Sequence, residues 1–193
     1  MKSKKGFLET LYISPQSVFS SKEVAILTGE NDPLSLKSKL SYYVRVEKLK
    51  RLRKGFYAKS DEYDKKELAT KLYTPSYVSF ETVLAKEGVI FQYYDTVFCA
   101  GYLSREVKVG DVCIRYRKLK NEILLNRAGL IEKDFYFEAS RERAFLDMIY
   151  INSECYFDNL RFLDWKKCDS LVSLYKNTSL IKVLNEYKKK YAQ

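Results

Sequence analysis

The stretch LKRLRKGFYAK, residues 49–59, determines how the first part of the chain is interpreted. Four of its first six residues are cations, and a glycine and two aromatic residues follow them. Gly55 can adopt the positive φ that a tight turn requires. We therefore predict a short β-hairpin, with residues 49–53 as one arm, Lys54 and Gly55 at the turn, and residues 56–59 as the returning arm.

Three short helical segments are predicted before this hairpin. Residues 7–13 carry apolar side chains at helical spacing. The next segment, SSKEVAILTG, has a serine at position 20 or 21 to cap its start and Gly29 to end it. A third helix is predicted to start after Asp32, which can cap it, and Pro33 suits its first helical position.

The third helix is predicted to have two different faces. At 100° per residue its apolar side chains fall on one arc, and polar or cationic side chains fall on the other. The apolar arc holds Leu36, Leu40, Tyr43 and Val44. The polar arc holds Ser38, Ser41, Tyr42 and Arg45, with Lys37 and Lys39 at its flanks.

The positive charge of the chain is concentrated around this helix and the hairpin. The 193 residues carry a net charge of +10. Residues 37–54 contain eight cations and one acid, Glu47, and so contribute +7, which leaves +3 for the rest. A basic surface on a helical module that ends in a hairpin is typical of nucleic-acid binding. We predict a winged helix-turn-helix in which the hairpin is the wing.

Each basic or polar side chain of this region then has an expected role on double-stranded DNA. Ser38, Ser41, Tyr42 and Arg45 would enter the major groove, with Arg45 suited to a bidentate guanine contact. The remaining cations would bind phosphates, and one cation of the wing could enter the minor groove. These cations are Lys37, Lys39, Lys48, Lys50, Arg51, Arg53 and Lys54.

Composition argues against several other classes of function. The chain has no histidine, and its four cysteines lie far apart without a C-x-x-C pair. We therefore expect no zinc finger, no catalytic histidine, no metal and no cofactor. No apolar run approaches the length of a membrane span or of a secretory leader, so a cytoplasmic protein without a membrane partner is expected.

The second half of the chain is predicted to form another domain. A helix over residues 64–73 ends before Pro75, because a residue preceding proline avoids helical conformation. We place the boundary there, with a DNA-binding domain over residues 1–75 and an α+β domain over 76–193. The second domain is expected to have a helix opened by Ser79 and a mostly antiparallel sheet. A helix capped by Ser140 and two C-terminal helices, near 160–176 and 179–191, complete it. The predicted strands are TVFCAGY, REVKVG, DVCIRYRKL, EILLN and KDFYFEA.

One motif in this half suggests a different chemistry. Asp95 followed by Glu106 and Lys108 matches the loose D…E-x-K spacing of metal-dependent nucleases. Glu106 and Lys108 would share one face of a strand, as metal-site residues must, and Mg²⁺ would activate water. The same residues have a simpler explanation as the solvent face of an amphipathic strand whose Val107 and Val109 face the core, because E-x-K often occurs by chance.

Several segments together resemble the AbiEi family of transcriptional regulators and type IV antitoxins. The resemblance lies in SSKEVAILTGE, LKRLRKGFYA, PSYVSFETVLAKEGVI, the series of strands, and ASRERAFLDMIY, and it weakens after Cys155. The R-K-G-F-Y wing followed by the P-x-Y-[VI]-S helix start is its most specific part. In one departure, Glu47 stands where the family often has a glycine that ends the helix.

The resemblance implies a DNA-binding autoregulator and antitoxin that is not an enzyme. It would bind inverted repeats in its own promoter and counter a nucleotidyltransferase-like toxin encoded beside it, without needing a stable complex. Three alternatives remain open: a nuclease at Asp95, Glu106 and Lys108, a plain winged-helix transcription factor with a dimerisation or sensor domain, and a structural adaptor with an incidental basic patch.

Overall fold

A computed structural model describes residues 6–191 and gives an α+β chain, so the α+β class is confirmed, and the winged helix-turn-helix within it stays a prediction. The chain divides into two compact units, Met1–Leu68 and Ala69–Gln193. We call them the N-terminal and C-terminal units. The division falls inside a helix, Lys65–Leu72, and therefore before the boundary placed after residue 75 from the sequence.

The N-terminal unit combines helices with a three-stranded antiparallel sheet of order β1-β3-β2. Its elements are α1 (Phe7–Ile13), β1 (Val18–Ser20), α2 (Ser21–Thr28), α3 (Pro33–Arg45), β2 (Lys50–Arg53), β3 (Phe56–Ala58) and the start of α4 (Lys65–Leu72). The predicted hairpin is present, with a register shift between Arg51 and Arg53. Strand β1 was not predicted, because three residues before a helix cap carry no alternating pattern.

The boundaries of α2 and α3 follow from their capping residues. The Ser20 hydroxyl accepts a hydrogen bond from the backbone N–H of Glu23, and the Glu23 carboxylate accepts one from the N–H of Ser20. At the other end Gly29 is left-handed, with φ 68°. The Asp32 carboxylate accepts hydrogen bonds from two N–H groups of the first turn of α3. Both helix starts were therefore readable from local sequence.

The core of this unit is small. Its buried cluster consists of Leu11, Phe19, Val24, Leu40 and Leu49. Each comes from a different segment, so the cluster joins three helices to the sheet. This packing fixes which side of α3 faces inward.

The C-terminal unit is built on a six-stranded mixed sheet of order β6-β7-β5-β4-β9-β8. Antiparallel pairings join β4 to β5, β6 to β7 and β8 to β9, whereas β5 with β7 and β4 with β9 are parallel. Its strands are β4 (Ser76–Val78), β5 (Val97–Gly101), β6 (Arg105–Val109), β7 (Val112–Lys118), β8 (Leu130–Glu132) and β9 (Phe137–Ala139). Its helices after α4 are α5 (Glu81–Lys86), α6 (Asn121–Leu124), α7 (Arg141–Ile151), α8 (Trp165–Val172) and α9 (Thr178–Tyr191).

Two local predictions for this unit are wrong. The segment EILLN forms α6 and not a strand, because Ile123 and Leu124 are both buried and adjacent residues of a strand would face opposite sides. Helix α5 is preceded by Phe80, with φ 55°, and is not capped by Ser79. The Ser79 hydroxyl instead donates a hydrogen bond to the Asp147 carboxylate at 2.8 Å.

A cluster of buried polar side chains lies at the centre of the C-terminal unit. We call Tyr77, Ser79, Arg143, Asp147 and Tyr175 the buried ionic cluster. Arg143 and Asp147 have no exposed area, and their Nε and Oδ1 atoms are 3.4 Å apart. Three hydroxyl groups donate hydrogen bonds to the Asp147 carboxylate, at 2.9 Å from Tyr77, 2.8 Å from Ser79 and 2.6 Å from Tyr175. The cluster connects α7 to β4 and to the segment after α8.

Arg143 is also fixed by the loop around α6. Its guanidinium donates hydrogen bonds to the backbone carbonyls of Ile123 and Ala128, each at 2.8 Å, and to the Tyr77 hydroxyl at 3.2 Å. Because these bonds satisfy most of its donors, a buried guanidinium is tolerable here. The segments PSYVSF and SRERAFLD, which were prominent in the sequence, meet at this cluster.

Candidate nucleic-acid interface

Helix α3 presents the polar arc that its sequence predicts. Leu40 is buried in the core, and Leu36, Tyr43 and Val44 pack against that core. The opposite side is open to solvent, which satisfies the first requirement for contact with a groove. Its exposed residues are Lys37, Ser38, Lys39, Ser41, Tyr42 and Arg45.

Aromatic contacts fix the last turn of this helix. The Arg45 guanidinium lies 5.6 Å from the centre of the Tyr42 ring, and Tyr42 meets Tyr43 edge-on at 5.3 Å. Tyr43 in turn stacks on Phe7 of α1, with ring centres 5.4 Å apart. A cation over an aromatic ring is attracted to its face, so Arg45 is partly ordered although it is exposed.

The hairpin places a second group of cations in solvent. Lys50, Arg51 and Arg53 on β2 and Lys54 in the turn are exposed. Within residues 6–191 no carboxylate forms an ion pair with Arg51, Arg53 or Lys54, whereas Lys50 pairs with Asp61. Three cations at the end of the hairpin are therefore available to an external anion.

The other predicted phosphate-binding lysines differ in whether a carboxylate already pairs with them. Lys39 pairs with Glu30, and the Lys39 ammonium lowers the pKa of that carboxyl. Lys48 is exposed between α3 and β2. Lys39 and Lys50 each have a carboxylate that competes with a phosphate, so the hairpin tip and Lys37, Arg45 and Lys48 carry most of the available charge.

Glu47 reverses the chain between α3 and the hairpin. Its φ is 57°, in the left-handed region that glycine adopts without strain. The N–H groups of Lys48 and Leu49 both donate to the Tyr43 carbonyl, at 2.9 and 3.1 Å, and close the end of the helix. A side chain therefore occupies a position whose backbone favours glycine.

Hydrogen bonds that sequence reasoning missed hold the hairpin against the helices. The Ser21 N–H donates to the Gly55 carbonyl at 2.8 Å, which attaches the turn to the start of α2. The Tyr12 hydroxyl donates to the Lys48 carbonyl at 2.9 Å. No motif signals these residues, because their partners are backbone carbonyls distant in sequence.

The residues of the nuclease-like motif lie on a loop and on an exposed edge strand. Asp95 lies in the loop before β5, and Glu106 and Lys108 are exposed on the edge strand β6. Val109 is buried, as expected for an amphipathic strand. The Glu106 carboxylate accepts hydrogen bonds from Arg115 at 2.9 and 2.6 Å, and this partner lowers its pKa.

Among residues 6–191, no three His, Cys, Asp or Glu side chains form a group that could hold a metal ion. None of the helices formed by these residues combines the length and the hydropathy that a membrane span requires.

Comparisons with known proteins add no identification. No protein-family model matches the chain, and a search of curated proteins finds no match.

Proposed function

We propose that the N-terminal unit is a winged helix-turn-helix that binds double-stranded DNA. Helix α3 would lie in the major groove and the β2–β3 hairpin would act as the wing. The observation that carries the proposal is the set of unpaired, exposed cations at the hairpin tip, Arg51, Arg53 and Lys54, close in sequence to the exposed polar arc of α3.

The roles within this interface follow from side-chain chemistry. Arg45 presents a planar fork that matches the O6 and N7 acceptors of guanine, and Ser38, Ser41 and Tyr42 lie on the same exposed arc. Lys37, Lys39, Lys48 and Lys50 would join the hairpin tip on phosphates. Because Lys39 and Lys50 would first have to leave Glu30 and Asp61, we expect them to contribute less.

Salt dependence of DNA binding tests the wing directly. The substitution of Arg51, Arg53 and Lys54 by alanine should weaken binding to promoter and random duplexes alike. It should also reduce the slope of log affinity against log salt by about one unit for each lost phosphate contact. Fluorescence anisotropy over a salt series measures both quantities.

A matched control removes the same charge elsewhere. Lys166, Lys167 and Lys182 are exposed on α8 and α9, and their replacement by alanine also lowers the net charge by three. This control should keep the wild-type slope. Equal slopes for the two triple variants would show that overall charge, and not the hairpin, governs binding.

We further propose that the chain is an autoregulator and antitoxin of a type IV pair that binds inverted repeats in its own promoter. Support for this role comes from the resemblance alone. The full-length chain, expressed from an unrelated promoter, should restore growth to cells that express the neighbouring nucleotidyltransferase-like gene. The hairpin variant should restore growth equally well, because no DNA contact is then needed. Failure of both, while the full-length wild-type chain still binds DNA, would favour a plain transcription factor.

We propose that the protein acts without catalysis. The Glu106 carboxylate is already engaged by Arg115. Plasmid incubated with purified protein and Mg²⁺ or Mn²⁺ should stay intact. Cleavage that is lost in Glu106→Ala would establish the nuclease alternative at Asp95, Glu106 and Lys108.

A further inference from the structure

A cavity of about 480 Å³ lies in the C-terminal unit, and the proposed DNA contacts do not involve it. Its wall comes from α5, β7, α7 and the segments that follow α5 and α7. This volume is within the range of specific ligand sites. The question is which chemical group its walls would recognise.

One wall of the cavity is an ion pair between Glu81 and Arg117. The Glu81 Oε1 atom accepts a hydrogen bond from an Nη atom of Arg117. The Arg117 guanidinium lies 5.0 Å from the ring centre of Phe80 and 4.9 Å from that of Phe98. These rings hold Arg117, and Arg117 holds the Glu81 carboxylate at the wall.

The second oxygen of the Glu81 carboxylate lacks a hydrogen-bond donor in the part of the chain that the structure describes. Glu81 Oε2 is shielded from solvent and has no hydrogen-bond donor among residues 6–191. A buried carboxylate oxygen without a donor is unfavourable. The Glu81 carboxylate lines the cavity, and the last torsion of a glutamate side chain is soft, so a small rotation would bring this oxygen to a donor inside it. The wall therefore offers an acceptor that a cationic donor would satisfy.

The rim of the cavity is aromatic and acidic. Phe91 and Tyr156 line it and are 71% and 80% exposed. The exposed carboxylate of Asp158 also lines it and accepts a hydrogen bond from the Phe91 N–H at 2.8 Å. The charged groups of the wall are thus two carboxylates, Glu81 and Asp158, and one cation, Arg117.

We propose that this cavity is a docking site for an arginine side chain of a partner polypeptide. A guanidinium has five N–H donors and no acceptor, which suits a wall with excess carboxylate, and its flat surface stacks on aromatic rings. It would bind the Glu81 carboxylate and stack on Phe91 and Tyr156. The source is a polypeptide because Phe91 and Tyr156 line the cavity and are also largely exposed, so they would contact the flanking chain, as aromatic residues of protein interfaces do.

The probe is a blocked Gly-Arg-Gly tripeptide, titrated into the full-length protein and followed by NMR. We expect saturable binding with a dissociation constant in the millimolar range, as for one isolated anchor residue. The tripeptide with citrulline, which replaces the guanidinium by a neutral urea, should bind at least about ten times more weakly. Free n-butylguanidinium should also bind more weakly than the tripeptide.

Two pairs of variants locate the site. Glu81→Gln should weaken binding about tenfold. Glu122→Gln, which removes an exposed carboxylate paired with Lys176 outside the cavity, should not weaken it. Tyr156→Ala should weaken binding, whereas Tyr93→Ala should not, although both rings are about equally exposed and only Tyr156 lines the cavity. The second pair decides the matter if Glu81→Gln does not fold, because neither tyrosine is in the core.

Four results would overturn the proposal. They are the absence of saturable binding, equal binding of the citrulline peptide, undiminished binding to Glu81→Gln or to Tyr156→Ala, and equally tight binding of n-butylguanidinium. The last result would assign the site to a free small guanidinium compound and not to a polypeptide.

Discussion

The buried Arg143 of the C-terminal unit contrasts with the exposed arginines of the N-terminal unit. In the N-terminal unit Arg45, Arg51 and Arg53 are exposed. In the C-terminal unit Arg143 is fully buried, forms an ion pair with a carboxylate and donates hydrogen bonds to a hydroxyl and two backbone carbonyls. Exposed cations contribute little to stability and are free to bind anions, whereas a buried pair is costly to break. The exposed arginines are thus suited to binding a partner, whereas the buried arginine stabilises the fold.

The largest expected effect is the loss of the buried ionic cluster. Asp147→Ala leaves the Arg143 guanidinium buried without its carboxylate and should lower the free energy of unfolding by about 3–5 kcal/mol. Urea denaturation followed by fluorescence of the single tryptophan measures this, because Trp165 contacts Phe145 of α7 within the same unit.

The control for Asp147→Ala is an aspartate whose ion pair is on the surface. Asp169 pairs with Lys188 at 2.7 Å on the surface, so Asp169→Ala should cost less than about 1 kcal/mol. Similar losses in both variants would mean that burial does not set the strength of ion pairs in this unit.

The next effect concerns alkaline pH. Burial, together with the nearby Asp147 carboxylate, raises the pKa of Tyr175 well above its ordinary value. The folded state therefore keeps a proton that the unfolded state loses above about pH 10, so the stability present below that pH declines as pH rises further. Tyr175→Phe should cost about 1.5–3 kcal/mol at neutral pH, since it removes a hydrogen bond to a charged group, and should flatten the alkaline decline.

Urea denaturation at a series of pH values from neutral to alkaline checks this result. The exposed Tyr156 provides the comparison, since Tyr156→Phe should change stability at neutral pH by less than about 0.5 kcal/mol. An alkaline decline as steep in Tyr175→Phe as in the wild type would remove Tyr175 as its source.

A smaller effect of opposite sign is expected in the N-terminal unit. Glu47→Gly places glycine at φ 57° and should stabilise this unit by about 0.5–1 kcal/mol, because a left-handed side chain is strained. Hydrogen exchange of the β2–β3 amides measures the change. Lys48→Gly is the neighbouring control at a residue outside the left-handed region, and it should not stabilise. A gain in the control alone would contradict the assignment of strain to Glu47.

The smallest effect is expected for the hairpin tip. Replacement of Arg51, Arg53 and Lys54 by alanine should change the stability of the N-terminal unit by less than about 0.5 kcal/mol, because none of them has a carboxylate partner within residues 6–191. The same hydrogen-exchange experiment measures it. A loss comparable to that of Asp147→Ala would show that these cations serve the fold and would remove the contrast between the units.

Local sequence predicted the elements whose signals are themselves local. The starts of α2 and α3 follow from Ser20 and Asp32, and the hairpin turn follows from Gly55, because caps and turns depend on only a few neighbouring residues. Helix α6 was missed because its short apolar run fits a strand equally well by pattern. The exposed arc of α3 was predicted because a period of 3.6 residues defines which side chains share a face.

The contacts at the candidate sites were far less predictable. The bond from Ser21 to the Gly55 carbonyl and the Glu81–Arg117 ion pair of the cavity wall join residues that are distant in sequence. Only the four-residue spacing of Arg143 and Asp147 on α7 could have signalled the buried ionic cluster.

The sequence alone determined the α+β class, the amphipathic third helix, the glycine turn and the concentration of +7 charge between residues 37 and 54, since composition and period are properties of the chain itself. Only the tertiary structure decided the mixed order of the six-stranded sheet, the pairing of Lys39 and Lys50 with carboxylates, and the burial of Arg143 against Asp147. The physical reason is that pairing and burial depend on which distant segments meet. Charged side chains of the same type then differ in energy, because some lose their water and others keep it.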